Sequence, residues 1–144
     1  MRLTRYTDYA LRVLIYLGQH PDRLCTIPEI AGAYAISQNH LTKVAYDLGK
    51  AGFVESERGR FGGVRLARPA AHISVGAVVR AMEGEACLAG CESCVIAAHC
   101  GLASALDDAH QAFLSNLDEV SIATIIRKGK RDVSGSFGPP VMNV

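Results

Sequence analysis

The order of short helices in the first half of the chain constrains its fold more than any other feature. Apolar residues at helical spacing predict a first helix that begins near Thr7, with the Thr7 hydroxyl as its cap. A short second helix opens at Pro28, and a third extends over residues 38–50 with Ser37 as its cap. The inward face of the third helix is predicted to consist of Leu41, Val44, Ala45 and Leu48.

A basic hairpin follows these helices. Two short strands are predicted over residues 53–57 and 63–67, joined by the glycine-punctuated turn Arg58-Gly-Arg-Phe-Gly62. Short helices followed by a two-stranded ribbon with a basic tip are the order of a winged helix-turn-helix. We therefore predict a mainly α-helical fold with a small β-wing, against the alternative of a small α+β domain with a solvated basic hairpin.

This arrangement predicts a surface that binds double-stranded DNA. Side chains of Asn, Gln, His and Lys on the third helix can reach base edges or phosphates in the major groove. Arginines on the wing suit phosphate contacts or a narrow minor groove. The predicted DNA-binding residues are Ser37, Gln38, Asn39, His40, Lys43, Arg58, Arg60 and Arg65.

The charges of the chain are segregated although its net charge is only +1. Residues 1–70 carry ten Lys and Arg against six Asp and Glu, whereas residues 71–126 carry one Arg against seven acids. A basic half joined to an acidic half indicates two different surfaces, of which the basic one faces a polyanion.

The second half of the chain is predicted to contain the dimer contact. Ser74 caps a helix that ends at Met82, and a long helix starts at Gly101. The apolar stripe of this long helix has little of its own chain to cover it, so it is predicted to pack in a two-fold dimer, with packing on the first helix as the alternative. The predicted dimer residues are Leu102, Leu106, Ala109, Phe113 and Leu117.

These features predict three segments. Residues 1–70 form a winged helix-turn-helix domain, and residues 71–128 contain a cysteine loop and the dimerisation helix, with a short last helix capped by Ser121. Residues 129–144 are rich in Gly, Pro, Ser and basic residues, which is typical of a disordered tail.

Four of the five cysteines, Cys87, Cys91, Cys94 and Cys100, lie within fourteen residues. Four thiolates would satisfy zinc, three with another ligand would hold an iron–sulfur cluster, and a Cys-x-x-Cys pair could act as a thiol–disulfide switch. Spacing alone does not choose between these sites. Cys25 is predicted to be a small buried hydrophobic residue instead.

Some classes of protein are excluded. The most apolar stretch, residues 10–17, is too short to cross a bilayer and contains Arg12. A secretory signal is not evident, so we expect a cytoplasmic protein without a membrane partner. We find no nucleophile–base set and no phosphate-binding glycine loop, so the chain is not expected to be an enzyme.

Several motifs resemble one family. They are Leu3-Thr-x-x-Thr-Asp8-Tyr-Ala-Leu-Arg, Ile36-Ser-x-Asn-His-Leu-x-Lys-Val44, Arg58-Gly-Arg-x-Gly-Gly-Val-Arg-Leu66, Glu83, the cysteine loop and the long helix. Over about residues 1–128 they are similar to the bacterial winged-helix iron–sulfur regulators of the IscR, NsrR and RirA type. The third-helix motif most resembles the nitric-oxide-sensitive repressors of the NsrR type.

This resemblance implies a cofactor and its ligands. Cys94 and Cys100 match the last two cysteine ligands of an iron–sulfur cluster, with 4Fe–4S favoured over 2Fe–2S. Cys91 matches the first ligand and Cys87 is its rival, because the gap from Cys91 to Cys94 is shorter than usual. Asp8 lies where some relatives supply a carboxylate ligand from the partner subunit. Ala103 occupies the position of the histidine ligand of IscR-type proteins, which disfavours that type.

The resemblance also implies a function. The chain is expected to be a homodimeric repressor of pseudo-palindromic operators, whose cluster is damaged by nitric oxide so that repression is relieved. An iron- or redox-responsive regulator is the alternative within the family. A zinc-stabilised DNA-binding module without sensing and a small electron-transfer protein are alternatives of other classes.

Overall fold

The computed structural model describes residues 2–84 and 88–132. Over these residues the chain forms six α-helices and one two-stranded antiparallel sheet. In chain order the elements are α1 (Arg5–Gln19), α2 (Ile27–Tyr34), α3 (Gln38–Lys50), β1 (Val54–Glu57), β2 (Gly63–Leu66), α4 (Val75–Glu83), α5 (Gly101–Asp118) and α6 (Ile122–Asp132). Single 3₁₀ turns lie at Ala70–His72, Cys91–Ser93 and Ala97–His99. The predicted fold class, mainly helical with a β-wing, is confirmed.

The first helix starts earlier than predicted. Its cap is Thr4, whose Oγ1 accepts a hydrogen bond from the backbone N–H of Thr7. Thr7 itself lies inside α1 and is completely buried, so its expected role as the cap is wrong. Asp8 nevertheless lies in the first turn of the helix, where its negative charge is favourable to the helix dipole.

Helices α2 and α3, which form the helix-turn-helix pair, have clearly defined ends. A capping box at the start of α2 joins Thr26 and Glu29, each side chain accepting from the other residue's backbone N–H at 3.3 Å. The bounds of α3 are those predicted, and its chain turns away at Gly52, which has a positive φ of 78°. The predicted inward face of α3 is confirmed, since all four of its apolar residues are buried.

The wing is anchored to the body by Cys25. In the hairpin, Val54 pairs with Leu66 and Glu57 with Gly63. The backbone of Cys25 exchanges two hydrogen bonds with Val64, of 2.9 and 2.8 Å, which adds a short bridge to the free edge of β2. Cys25 is completely buried, as predicted. The end of β2 next to the turn is therefore fixed to the body of the protein.

The last three helices close the core. A side-by-side ion pair joins Arg80 in α4 to Asp118 at the end of α5, with N–O distances of 2.5 and 2.8 Å. Helix α6 packs on α1 where Gly18 lies beneath Ile126, so closely that a Cβ at Gly18 would lie 2.6 Å from the Ile126 Cδ1. The first contact joins two helices of the second half of the chain, and the second joins that half to the first.

Helix α6 also extends further than predicted. Ser121 caps it as expected, accepting a hydrogen bond from the Thr124 N–H at 3.1 Å. The helix continues to Asp132, whereas the sequence predicted a disordered tail from residue 129. This difference arises because Lys and Arg are good helix formers and the helix axis is already fixed by its apolar first turns. The remainder of the expected tail, residues 133–144, lies outside the described residues.

Candidate nucleic-acid interface and cysteine loop

The first turns of α3 present a row of polar side chains to solvent. Ser37, Gln38, Asn39, His40 and Lys43 are all exposed, while the opposite side of the helix is buried in the core. This division follows from the helical repeat, because residues one turn apart share a face. The amide, imidazole and ammonium groups of this row can form hydrogen bonds with base edges and phosphates.

Contacts with α1 hold α3 in place. The Tyr6 hydroxyl donates a hydrogen bond to the Asp47 carboxylate, which also pairs with Lys50 at 2.8 Å. Burial and this carboxylate raise the pKa of Tyr6 to about 12, so the phenol stays a donor throughout the physiological range. The Lys43 ammonium lies 5.8 Å from the centre of the Tyr6 ring. Tyr6 therefore contacts the predicted recognition helix at two points.

Sequence reasoning missed one exposed aromatic on α3. Tyr46 is 66% exposed and carries the Lys50 ammonium 4.8 Å from its ring centre. It follows Lys43 by three residues and Asn39 by seven, so helical spacing alone places it on the same face. That spacing was the available signal, and the residue extends the exposed row toward the end of the helix.

The three wing arginines have different surroundings. Arg58 and Arg60 are exposed at the turn. Arg65 lies on β2 and pairs with two carboxylates of β1, with Glu55 at 2.6 Å and with Glu57 at 2.8 Å. Hydrogen bonding to Glu55 raises the pKa of Arg65. The charge of Arg65 is thus matched within the wing, whereas the sequence alone presented it as equivalent to the other two.

The tip of the wing is a tight turn. The Gly62 N–H donates to the Gly59 carbonyl oxygen at 3.1 Å, so Arg60 and Phe61 are the two central residues of a four-residue β-turn. Gly59 adopts a φ of 115°, and a Cβ at Gly62 would collide with the Glu57 carbonyl oxygen. These glycines fix the shape of the turn.

The described part of the cysteine loop lies between α4 and α5. Two 3₁₀ turns form it, and they place Cys94 in an exposed position, with Cys91 and Cys100 partly exposed. Cys100 is the N-cap residue of α5, and its side chain makes no capping hydrogen bond there. The helix dipole of α5 therefore favours negative charge beside this sulfur.

The donor set of this loop fits an iron–sulfur cluster, because three soft thiols lie on one segment that is accessible to solvent. Within residues 2–84 and 88–132, no three His, Cys, Asp or Glu side chains are gathered closely enough to hold a metal ion. The structure therefore brings the three thiols into one loop without assembling them. Cys87, the rival first ligand, lies outside the described residues.

Asp8 and His99 lie on different elements. Asp8, the predicted ligand to a partner's cluster, lies on the solvent side of α1 and accepts a hydrogen bond from Arg12 Nε at 2.9 Å. About half of each of these two side chains is exposed. His99 is exposed beside Cys100, as expected of a loop residue.

Glu83 connects the loop end of α4 to the start of α1. Its Oε1 accepts from both the backbone N–H of Thr4, at 2.7 Å, and the Thr4 hydroxyl, at 2.9 Å. Burial alone would raise the pKa of Glu83, but hydrogen bonds from Thr7 and Thr4 outweigh it and hold the pKa below its ordinary value. The residue that precedes the cysteine loop is thus tied to the cap of α1.

The predicted dimer stripe on α5 has two parts. Leu102 is 62% exposed and Ala109 is also exposed, while Leu106 lies partly buried beneath the loop beside Cys91. Phe113 and Leu117 instead pack partly against the core of their own chain. The alternative of packing on the chain itself therefore describes the second half of α5, although its main neighbour is α4 rather than α1.

In the part of the chain that the structure describes, no helix is both long and apolar enough to cross a bilayer.

Comparison with known proteins gives one family. The family model Rrf2, described as iron-dependent transcriptional regulator, matches residues 3–128. The HTH-type transcriptional regulator NsrR of Geobacillus kaustophilus is 46% identical over 132 residues, covering 88% of this chain and 90% of that protein. The protein of the same name from Bacillus subtilis is 44% identical over 139 residues, covering 92% and 94%.

Solved structures have the same fold. IscR of T. potens superposes with a TM-score of 0.77 at 23% identity, covering 96% of this chain and 94% of that one. The oxidized form of CymR from Staphylococcus aureus superposes with a TM-score of 0.71 at 25% identity, covering 88% and 96%. The curated relatives are transcriptional regulators, which confirms that the chain is not an enzyme. The chain belongs to the Rrf2 family of transcriptional regulators.

Proposed function

We propose that this chain is a homodimeric, cytoplasmic DNA-binding repressor whose iron–sulfur cluster senses nitric oxide. The observation that carries the DNA-binding part is the exposed polar row of α3 together with the two exposed arginines of the wing turn. The relatives at 44–46% identity that are named NsrR support the repressor and sensor parts. A 4Fe–4S cluster is favoured over a 2Fe–2S cluster.

Base recognition is assigned to α3. Asn39 and His40 lie in its first turn and can form hydrogen bonds with base edges in the major groove, while Lys43 reaches either a base or a phosphate. Two copies related by a two-fold axis would place two such helices about one helical turn of DNA apart, which matches a pseudo-palindromic operator.

The wing arginines take different roles in this proposal. Arg58 and Arg60 contact phosphates or a narrow minor groove, because their charges are exposed at the turn. Arg65 pairs with Glu55 and Glu57 and offsets part of their negative charge, which would otherwise repel the DNA backbone more strongly. The assignment of Arg65 is thus changed from a direct DNA contact to a residue that makes the wing compatible with DNA.

The cysteine loop is assigned to the cofactor. Cys91, Cys94 and Cys100 would hold the cluster through their thiolates, and Asp8 of the partner subunit would supply a carboxylate oxygen. A bound cluster supplies iron atoms that react with nitric oxide. Asp8 must leave Arg12 to take this role, so the ion pair between them is one of two alternative states of α1.

The route from the loop to the DNA surface consists of direct contacts. Glu83 at the end of α4 holds the Thr4 cap of α1, and Tyr6 in the first turn of α1 holds Asp47 of α3. A displacement of the loop therefore acts on the helix that supports the recognition helix. A coupling of about 1–3 kcal/mol along this route would change operator affinity roughly 5- to 150-fold.

The test is anaerobic reconstitution of the full chain with ferrous iron and sulfide. We expect bound iron and sulfide and retardation of promoter DNA, and nitric oxide should abolish the retardation. Cys94→Ala and Cys100→Ala should each lose the iron, and only one of Cys87→Ala and Cys91→Ala should do so. Cys25→Ala is the matched control, because this buried cysteine lies outside the loop and its variant should keep its iron.

Each alternative predicts a different result. A colourless protein that binds stoichiometric zinc would indicate a zinc-stabilised DNA-binding module and not a sensor. Iron binding with a response to iron supply or oxidants, and none to nitric oxide, would identify the iron- or redox-responsive alternative. Retention of iron without retardation of DNA would contradict the repressor assignment.

A further inference from the structure

Phe61 is an apolar side chain held out at the tip of the wing. It is 87% exposed although it is a phenylalanine, and it is one of the two central residues of the turn closed by Gly59 and Gly62. A ring so exposed at the end of a hairpin has no core to fill, and this suggests a contact made outside the chain.

The surroundings of the ring are cationic. Arg60 precedes Phe61 in the turn and places its guanidinium carbon 5.8 Å from the ring centre. Arg58 is exposed on the same turn, while the carboxylates of Glu55 and Glu57 are occupied by Arg65. An exposed aromatic ring accompanied by two exposed guanidinium groups is complementary to a polyanion that also offers apolar surface.

The shape of the turn decides how the ring is presented. The backbone fits only glycine at Gly59 and Gly62, and a Cβ at Gly63 would lie 2.7 Å from the Cys25 carbonyl oxygen. The hairpin is therefore held next to its turn and narrow at its end. A narrow, rigid tip of this kind can enter the DNA minor groove, which is about 6 Å wide and too narrow for a helix.

We propose that Phe61 acts as a wedge in the minor groove of the operator, partly unstacking one base step while the two neighbouring arginines hold the groove. Apolar side chains inserted between base steps unstack them and bend the duplex, and the cost is smallest at flexible pyrimidine–purine steps. Phe61 would thus select operators by their deformability at a step that α3 does not contact. This proposal rests on the DNA-binding part of the proposed function and not on the cofactor.

The test uses the iron-reconstituted full chain. A duplex is first enriched from a random-sequence pool by the wild-type protein, and 2-aminopurine is then placed at successive positions of its minor-groove flank. We expect wild-type protein to raise the 2-aminopurine fluorescence at one step, which reports unstacking, and to bend the duplex in an end-to-end energy-transfer measurement. Phe61→Ala should lose both signals and about thirtyfold in affinity, the middle of the range for one aromatic–base contact.

Two further variants separate the wedge from simple charge. Phe61→Leu keeps an apolar side chain and should retain most of the bending. Arg60→Ala should lower the slope of affinity against salt concentration by about one, whereas Phe61→Ala should leave this slope unchanged. Because the ring is exposed, the thermal unfolding of Phe61→Ala should match that of the wild type.

The outcomes are distinguishable. If the wild-type protein enriches no duplex, DNA binding itself fails and the wedge fails with it. If it enriches a duplex and Phe61→Ala binds and unstacks it like the wild type, only the wedge is wrong. If Phe61→Ala changes the sedimentation of the free protein, the ring belongs to a contact between copies and the proposal is overturned.

Discussion

The Glu29 carboxylate accepts hydrogen bonds from residues in several parts of the chain. Its carboxylate receives a hydrogen bond from the Arg23 guanidinium, one of 2.7 Å from the Tyr16 hydroxyl, and one of 3.3 Å from the Thr26 backbone N–H. The Arg23 contact is the main cause that lowers the pKa of Glu29 from 4.5 to about 2. The start of α2 is therefore stabilised by an ionised carboxylate.

This pKa gives a prediction for stability against pH. Since the folded state holds the pKa of Glu29 below its unfolded value, the contribution to stability is complete above pH 4.5 and is lost as the pH falls toward about 2. Glu29→Gln should therefore be less stable than the wild type at neutral pH, with a difference that shrinks in acid. Chemical denaturation at several pH values measures this difference.

The control for this prediction is Asp22→Asn, which removes an exposed carboxylate from the loop before α2. The difference in free energy of unfolding between Asp22→Asn and the wild type should change much less between neutral and acidic pH. If the free energies of unfolding of Glu29→Gln and the wild type differ by the same amount down to pH 2, the ion pair between Arg23 and Glu29 is contradicted.

Single residues also mark the limit of prediction from sequence. The four buried residues of α3 followed from spacing alone, because a helix of known phase has only one apolar face. The ion pairs of Arg65 could not be predicted from spacing, because they depend on the strand register that places Arg65 opposite Glu55. A register shift of one residue would turn these side chains to opposite faces of the sheet, and composition carries no information about that choice.

At the scale of elements, helix ends were predicted well where the signals were unique. Ser74 and Ser121 each precede an apolar run and each accepts the expected hydrogen bond. The start of α1 was missed because Thr4 and Thr7 both precede helical residues, and the choice depends on Glu83, 79 residues away, which binds Thr4. Local sequence contains no trace of such a partner.

The packing of α4 on α5 gives the second prediction. Gly76 lies against the end of α5, where an added Cβ would be 2.8 Å from the backbone nitrogen of Asp118 and still closer to its side chain. Gly76→Ala should force the helices apart and lower the free energy of unfolding by about 1–3 kcal/mol. Thermal or denaturant unfolding of the purified chain measures the change.

Gly32 in α2 is the matched control, because a Cβ there would meet nothing within 4 Å. Gly32→Ala should stabilise the protein by up to about 1 kcal/mol, since alanine favours the helix over glycine. The two identical substitutions are thus expected to have opposite signs. Equal effects would mean that α4 and α5 do not approach as closely as described.

The cysteine loop could be predicted only in part for a physical reason. Spacing placed three thiols on one segment at the start of α5, which the structure confirms. In the proposed function their convergence depends on a cofactor and on a second chain, because the five-residue gap between Cys94 and the N-cap Cys100 is bridged by a turn with no apolar core of its own. Such geometry is determined by binding rather than by the local sequence.

At the scale of the whole molecule, the basic and acidic halves of the chain correspond to different parts of the fold. Helices α1 to α3 and the wing have a net positive charge, as has α6, while α4, the cysteine loop and α5 together have a net negative charge. The end of α5 is fixed to α4 by the pair between Arg80 and Asp118, so its first half projects with an exposed apolar face. This asymmetry between the two halves of one helix is what a two-fold dimer contact would cover.

The last prediction concerns this contact. Leu102→Asp places a charge on the exposed apolar face of α5, and we expect it to convert a dimer into a folded monomer, because Leu102 contributes little to the core of its own chain. Loss of the second recognition helix should lower operator affinity by about a hundredfold, since two linked contacts bind far more tightly than one. Sedimentation of the free protein and gel retardation measure the two effects. Gln111→Asp is the control, because it introduces the same charge roughly 180° around the helix at 100° per residue and should leave both the dimer and the affinity intact. A Leu102→Asp protein that still sediments as a dimer would move the interface away from α5, and the half-site spacing expected of the operator would then have no structural basis.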